Sequence, residues 1–226
     1  MMLSAAMEDY LKTVYVLQAD GGDDRVTTSR VADALDVTPP TVTSMLGKLD
    51  KRGLVEREKY KGVRLTDDGE RVALEIVRHH RLLESYLTEH LDYDWSEVHA
   101  EADALEHHIS EELEQRIADS LSDPAVDPHG DPIPTADLEP VEEPPQQTLA
   151  DTGDGDQVEI ERVQDHEPDE LRYLDDHGIR PGVRVEVIEV TPFDVVTVLP
   201  APAKEAVALP ERVARRVSVR DSEAAD

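Results

Sequence analysis

Apolar residues recur at helical spacing from Ala5 to Ala19, where Met7, Tyr10, Leu11, Val14, Tyr15 and Leu17 form one stripe. The "GGDD" that follows ends it. Thr27 or Thr28 is placed to cap a second helix reaching Leu35, with Val31, Ala32 and Leu35 inward. "DVTPP" reads as a turn, and Pro39 and Pro40 suit the start of a third helix, because a first-turn N–H needs no partner there. That helix runs to about Arg52 on Val42, Met45, Leu46 and Leu49. "RGLVEREKYKGVRLTDDG" reads as two short strands around Lys61-Gly62. Thr66 caps a long helix to about Leu91, and one further helix is predicted from Trp95 to Leu121.

The pattern then changes. Seven prolines fall between Ser122 and Pro145, and no Lys or Arg occurs between Arg116 and Arg162, which predicts an extended linker. From Gln157 the segments "QVEIERV", "RVEVIEV", "DVVTVLP", "AVALP" and "RVSV" alternate like short strands of a small barrel, with "EPDELRYLDDHGI" as one helix among them. The fold class is mainly α with a small β domain. Its expected parts are a winged helix-turn-helix at 1–67, a helical domain at 68–122, a Pro/Asp-rich linker at 123–156 and the β domain at 157–222.

Charge refines this picture. The 226 residues carry 23 basic and 52 acidic side chains, a formal net of −29, which as a whole argues against nucleic acid. The imbalance is local: residues 1–88 sum to −2 and residues 89–226 to −27. The first third therefore permits DNA contact. Arginine outnumbers lysine 17 to 6 and aspartate abounds, as on surfaces adapted to a salt-loaded cytoplasm. No cysteine means no disulfide framework and no thiolate metal site. No apolar run approaches the roughly 18–20 residues of a membrane span, and "MMLSAAMEDY" lacks the pattern of a signal peptide, so a cytoplasmic protein without membrane contact is expected.

Two short helices, a tight turn, a third helix and a two-stranded wing make a winged helix-turn-helix. Its third helix would enter the major groove N-terminus first. Thr38, Pro39, Thr41, Thr43, Ser44 and Lys48 are the candidate contacts of that helix, and Thr38 and Pro39 can meet thymine methyls. Arg57, Lys59, Lys61 and Arg64 put cations on the wing, where phosphates would lie.

A second chemistry is visible in "EADALEHHISEEL". Read as continuous helix, it stacks Asp103, Glu106 and His107 at i, i+3 and i+4. His80 and Glu84 share the i, i+4 spacing on the long helix, and His99 lies one turn before Asp103. Each group alone reads equally as a solvated face. Together they point to two adjacent helices framing divalent-metal sites.

The stretches "MEDYLKTVYVL", "RVADALDVTPPTVTSMLGKLDKRGLV", "GVRLTDDGERVALEIVRHHRLLESYL", "VHAEADALEHHIS" and "DPHGDPIP" resemble the diphtheria toxin repressor family of iron- and manganese-sensing regulators across nearly the whole chain. The resemblance implies a winged helix, a helical dimerisation and metal domain and a C-terminal SH3-like barrel. It implies a homodimer that binds double-stranded operator DNA when metal occupies a primary site. The matching ligands here are Asp9, Asp103, Glu106 and His107. An ancillary site maps to His80, Glu84 and His99, with Glu167 and Glu170 from the barrel. Iron-type members carry sulfur ligands where this chain has Asp9 and Asp103, and hard carboxylate oxygens suit Mn2+, with Fe2+ as the alternative effector. Lys12 stands where some manganese-type members have Glu, which counts against a closely paired two-metal cluster. Dimerisation is expected on Leu82, Leu83, Leu87, Leu105 and Ile109. The regulatory reading makes the protein no enzyme and a controller of metal-homeostasis genes. Its rivals are a two-metal hydrolase and a winged-helix regulator of a small organic ligand.

Overall fold

The computed structural model describes residues 3–21, 25–58, 60–139, 147–164, 168–202 and 205–222. They form two compact units, one of Met1–His80, Leu105–Glu114 and Pro134–Val141, the other of Arg81–Ala104, Gln115–Ile133 and Glu142–Asp226. No described helix is long and apolar enough to cross a membrane.

In the first unit, helices α1 (Ala5–Gly21), α2 (Thr28–Ala34) and α3 (Pro39–Asp50) precede strands β1 (Val55–Glu58) and β2 (Gly62–Leu65). Thr27 caps α2, its hydroxyl accepting the Arg30 N–H at 3.3 Å. Pro39 and Pro40 open α3 as expected. The strands pair antiparallel from Val55↔Leu65 to Glu58↔Gly62, and Val26 bridges Val63 on the other side. Gly62 is required at that crossing: its φ is +106°, and a Cβ would sit 2.2 Å from the Val26 carbonyl oxygen. Leu11, Val14, Val31, Val42, Leu46, Leu49, Val55 and Val63 are buried together, so the stripes read from the sequence meet in one core.

Helix α4 spans Asp67–Leu91. Thr66 caps it, accepting the Gly69 N–H at 3.1 Å, and acidic Asp67, Asp68 and Glu70 favour its positive end. The single helix expected over Trp95–Leu121 is instead two, α5 (Val98–Leu105) and α6 (Glu111–Ser120). The His108 N–H closes a tight turn on the Leu105 carbonyl at 2.8 Å. Ser110 then starts a new helix: its hydroxyl accepts from Leu113 N at 3.3 Å and its carbonyl from Glu114 N at 2.9 Å. The cap signal of Ser110 followed by three glutamates outweighs the apolar period that suggested continuity.

In the second unit, strands β3 (Gln147–Thr148), β4 (Gln157–Val163), β5 (Arg184–Thr191), β6 (Val195–Pro200), β7 (Val207–Pro210) and β8 (Val217–Asp221) make an antiparallel sheet in the order β3-β8-β4-β5-β6-β7. Helices α7 (Pro168–Asp176) and α8 (Glu211–Ala214) lie between strands in the chain. The inward valines and isoleucines form a core that includes Trp95 and the fully buried Leu149. Part of the stretch expected as plain linker is thus structured. β3 belongs to the sheet and leads into the short 3-10 turn Leu149–Asp151, and Asp127, His129 and Asp131 are buried. The dimer expectation also changes. Leu82, Leu83 and Leu87 are buried within the single chain and offer little surface to a partner.

Candidate metal centres and nucleic-acid interface

Helix α1 aims Asp9 at the turn after α5. There the His107 ring stands between two carboxylates, its Nδ1 2.7 Å from Glu8 and its Nε2 2.7 Å from Asp9. The Glu106 Oε1 lies 3.5 Å from the same Nε2. Asp9, Glu106 and His107 thus place one ligand atom each within 4.8 Å of one another. Burial is the main reason the Asp9 carboxyl is pushed above its ordinary range, with the nearby Glu106 charge adding and His107 and Lys12 opposing. Glu8 acts behind the cluster: a carboxylate on Nδ1 fixes the ring and turns Nε2 toward Asp9.

Glu106 is buried and its other oxygen is taken. Lys12 Nζ donates to Oε2 at 2.7 Å and approaches His80 Nδ1 at 3.0 Å, while that nitrogen lies 2.6 Å from the same oxygen. The ammonium therefore stands as a built-in cation beside Glu106. His80, expected with Glu84 and His99, joins Lys12 and Glu106 in the first unit. Asp103, expected as a fourth primary ligand, belongs to the second unit, where its exposed carboxylate lies 3.3 Å from His99 Nε2. The physical reason is the helix break: α5 stops at Leu105, so Glu106 and His107 do not continue the face that carries Asp103.

The second unit holds a cluster that sequence reasoning missed. Glu84, Asp127 and His129, all buried, bring one ligand atom each within 4.8 Å of one another. The Asp127 carboxylate caps its own turn, accepting the N–H groups of His129 at 2.8 Å and Asp131 at 2.9 Å. Gly130 makes the turn possible, since at φ +89° a Cβ would sit 2.0 Å from the Glu161 carbonyl. His129 Nε2 meets the Trp95 carbonyl at 3.0 Å. A carbonyl only accepts, so Nε2 carries the proton and Nδ1 turns toward Glu84, 3.6 Å away. Burial above all, then the charges of Asp131 and Glu84, push the Asp127 carboxyl up to about 7 against the pull of Arg81 and His129. Glu84 also touches His99 Nδ1 at 3.1 Å through its other oxygen. Asp131 is neutralised separately by Arg162 at 2.6 Å and Arg81 at 3.1 Å.

Of the two barrel carboxylates expected at the ancillary site, Glu167 lies outside the described residues. Glu170 is engaged by arginines, Arg212 on one oxygen and Arg216 on the other at 2.9 Å. Those guanidiniums neutralise it without a metal.

The reading head exposes Pro39, Thr41, Thr43, Ser44 and Lys48 on one helix, α3, and Thr38 at its N-cap, as expected. The Thr38 and Thr41 hydroxyls bond each other at 2.9 Å. The wing differs from expectation. Lys61 pairs with Glu58 at 2.6 Å and Arg64 with Glu56 at 2.7 Å, so their charge is partly spent within the wing. Arg57 is exposed, and Lys59 lies outside the described residues.

Comparison with known proteins agrees with this layout. Residues 2–63 match the iron dependent repressor N-terminal DNA binding domain, 66–135 the iron dependent repressor metal binding and dimerisation domain, and 147–221 the FeoA domain. The iron-dependent repressor IdeR of Mycobacterium tuberculosis is 34% identical over 225 residues, covering 94% of this chain and 95% of that protein. The chain belongs to the diphtheria toxin repressor family. A solved manganese-dependent transcriptional repressor in complex with manganese is 38% identical, with a TM-score of 0.87 over 96% of this chain and all of the other. The HTH-type transcriptional regulator MntR of Lysinibacillus sphaericus is 40% identical over 109 residues, 48% of this chain and 76% of that protein. The family consists of transcriptional repressors that bind divalent metal, act as homodimers on operator DNA and catalyse no reaction. The hydrolase reading falls with that.

The candidate residues missed from sequence are Glu8, Asp127 and His129. Glu8 had a local signal, as neighbour of the candidate ligand Asp9. Asp127 and His129 sat in a proline-rich run whose composition suggested a spacer, and nothing in their spacing pairs them with Glu84.

Proposed function

We propose that one divalent cation, Mn2+ ahead of Fe2+, held by Asp9, Glu106 and His107, switches this repressor onto its operator. The observation that carries the reading is the place of Asp9. It stands on α1, the helix whose Leu11 and Val14 pack into the core shared with α3, and it meets Glu106 and His107 at ligand distance. When bound, the cation supplies positive charge between carboxylates that otherwise repel. Asp9 and Glu106 can then stay close, and α1 keeps the reading head in a fixed relation to the turn at Glu106–His107. In the homodimer, two α3 helices held at roughly 34–36 Å would match one helical turn of DNA. Cation and DNA raise each other's affinity by the same factor. Two oxygens and one imidazole, with no sulfur, support Mn2+ or Fe2+ over softer ions. Thr38, Pro39, Thr41, Thr43, Ser44 and Lys48 are the proposed contacts of α3 with the operator. The genes controlled would be those of metal homeostasis.

Glu84, Asp127 and His129 form a second proposed cation site. The Trp95 carbonyl orients His129 as metal-bound imidazoles are usually oriented, and two buried carboxylates face it. Asp103 and Glu170 have no ligand role in this reading.

The test is operator binding titrated anaerobically against Mn2+ and Fe2+ at high salt. His107→Ala should abolish the metal-stimulated gain, about 5- to 150-fold for couplings of this kind. Equal stimulation in parent and variant would sink the assignment. A lower activating concentration for Fe2+ than for Mn2+ would reverse the metal order.

A further inference from the structure

We propose that Glu56 and Glu58 are specificity-determining residues of the reading head: they hold Arg25, Lys61 and Arg64 inside the wing and so suppress sequence-independent binding to duplex DNA. This rests on the head being a DNA reader and goes beyond it by giving the acids of the wing a function.

A wing that only had to grip phosphate would carry cations without acids between them. Here both acids of β1 are shared between cations. One Glu56 oxygen accepts from Arg64 Nε at 2.8 Å and Nη2 at 2.7 Å, straight across the strand pair, and Arg25 Nη2 lies 3.7 Å from it. Glu58 holds Lys61 Nζ at 2.6 Å on one oxygen and faces Arg25 Nε at 3.6 Å with the other. The hydrogen bond from Lys61 keeps the Glu58 carboxyl below its ordinary range. Arg25 is tied down further, since its Nη1 donates to the Glu56 carbonyl at 3.1 Å.

The fold has little need of these pairs. The side chains of Glu56, Glu58, Lys61 and Arg64 are all exposed, and exposed ion pairs add little to stability. Their effect on DNA binding is larger. A phosphate gains from Lys61 or Arg64 only once the carboxylate has let go, or it meets the carboxylate's charge as well.

Arg57 is placed differently. Strand alternation turns it away from Glu56 and Glu58. Its guanidinium lies over Gly47 of α3, where a Cβ would stand 3.3 Å from Nη1. There it lines an open cleft of roughly 620 Å³ with Thr27, Thr28 and Thr43, and Glu58 borders the same cleft. On an operator, α3 fixes the register and this cleft meets the sugar–phosphate strand, so Arg57 contributes and the cations held by the acids do not. Sequence-independent encounters have no fixed register, and every available cation strengthens them. Withholding three cations therefore weakens the wrong complexes more than the right one.

The probes are a duplex selected from random-sequence DNA by the parent protein in Mn2+ and a scrambled duplex of the same composition. A parent that binds both alike sinks the DNA reading and this proposal with it. Given a preference, Glu56→Gln and Glu58→Gln should each bind the scrambled duplex about tenfold more tightly at about 0.1 M salt. The slope of log affinity against log salt should steepen by about one, the mark of one more phosphate contact. Affinity for the selected duplex should stay within about twofold, so the preference falls. Lys61→Ala should lower the scrambled-duplex slope by about one in the Glu58→Gln background and by less than half as much in the parent. The proposal is overturned if both glutamine variants bind scrambled DNA like the parent or if the selected duplex gains as much. It is equally overturned if Lys61→Ala acts alike in both backgrounds. A thermal midpoint more than about 5 °C below the parent in both glutamine variants would assign the acids to the fold instead.

Discussion

The two ligand clusters use the same donors, two carboxylates and one imidazole, in opposite surroundings. At Asp9–Glu106–His107 the Asp9 side chain is 44% exposed and an ammonium already neutralises part of Glu106. At Glu84–Asp127–His129 every member is at least nine-tenths buried, and burial pushes Asp127 up to about 7. A half-open cluster can exist with and without its cation at modest cost, as an effector site must. A buried one concentrates charge away from water, so a cation held at the proposed second site would act as part of the fold.

That contrast is open to attack. The largest effect is expected from Asp127→Asn. Asparagine keeps the oxygen that accepts the His129 and Asp131 N–H groups but removes the charge. The only tryptophan, Trp95, stacks 4.9 Å from the His129 ring and should be quenched by Mn2+ in the parent. In Asp127→Asn that quenching should disappear. The Mn2+-dependent gain in unfolding free energy should also shrink by about 2–3 kcal/mol at a hundredfold excess over Kd. Unaltered quenching would remove the buried cation from the account.

A smaller effect is expected from Lys12→Gln. Glu106 loses its ammonium while buried, and the metal-free protein should lose about 1–3 kcal/mol in thermal or denaturant unfolding. Mn2+ should stabilise this variant more than the parent, because a cation can take over the lost charge. Identical metal-free stability would mean that Lys12 is a bystander.

The smallest effect is expected from Asp103→Asn. Its carboxylate is exposed and meets a half-exposed His99, an arrangement contributing no more than about 1 kcal/mol. Mn2+-stimulated operator binding should stay within about twofold of the parent. A complete loss would restore Asp103 as a fourth effector ligand and show the three-residue cluster to be incomplete.

Much of the reading head could be deduced from the chain alone. Val31, Val42, Leu46 and Leu49 repeat at helical spacing, Thr27 and Thr66 cap, and Pro39-Pro40 opens α3, so local propensity and burial agree there. Asp9, Glu106 and His107 were legible as candidate ligands because family motifs surround them. The strands of the β domain announced themselves through alternation, and Thr38 to Lys48 through their place after a tight turn.

Tertiary structure decided what spacing could not. Continuity of apolar period across residues 95–121 hid the break at Leu105, since a turn closed by one hydrogen bond and a serine cap leaves the apolar count almost unchanged. That break leaves Glu106 outside the helix that carries Asp103. Lys12 and Glu106 are 94 residues apart in the chain, as Glu84 is far from Asp127 and His129, and no local period encodes such pairs. Composition marked Asp127–Asp131 as solvent-loving, yet a glycine pressed against β4 and a carboxylate that caps its own turn carry it into the interior. The sequence determined which elements form and which donors are available. Which donors face one another was set by long-range packing, because burial chooses partners by distance in space and a sequence records only distance along the chain.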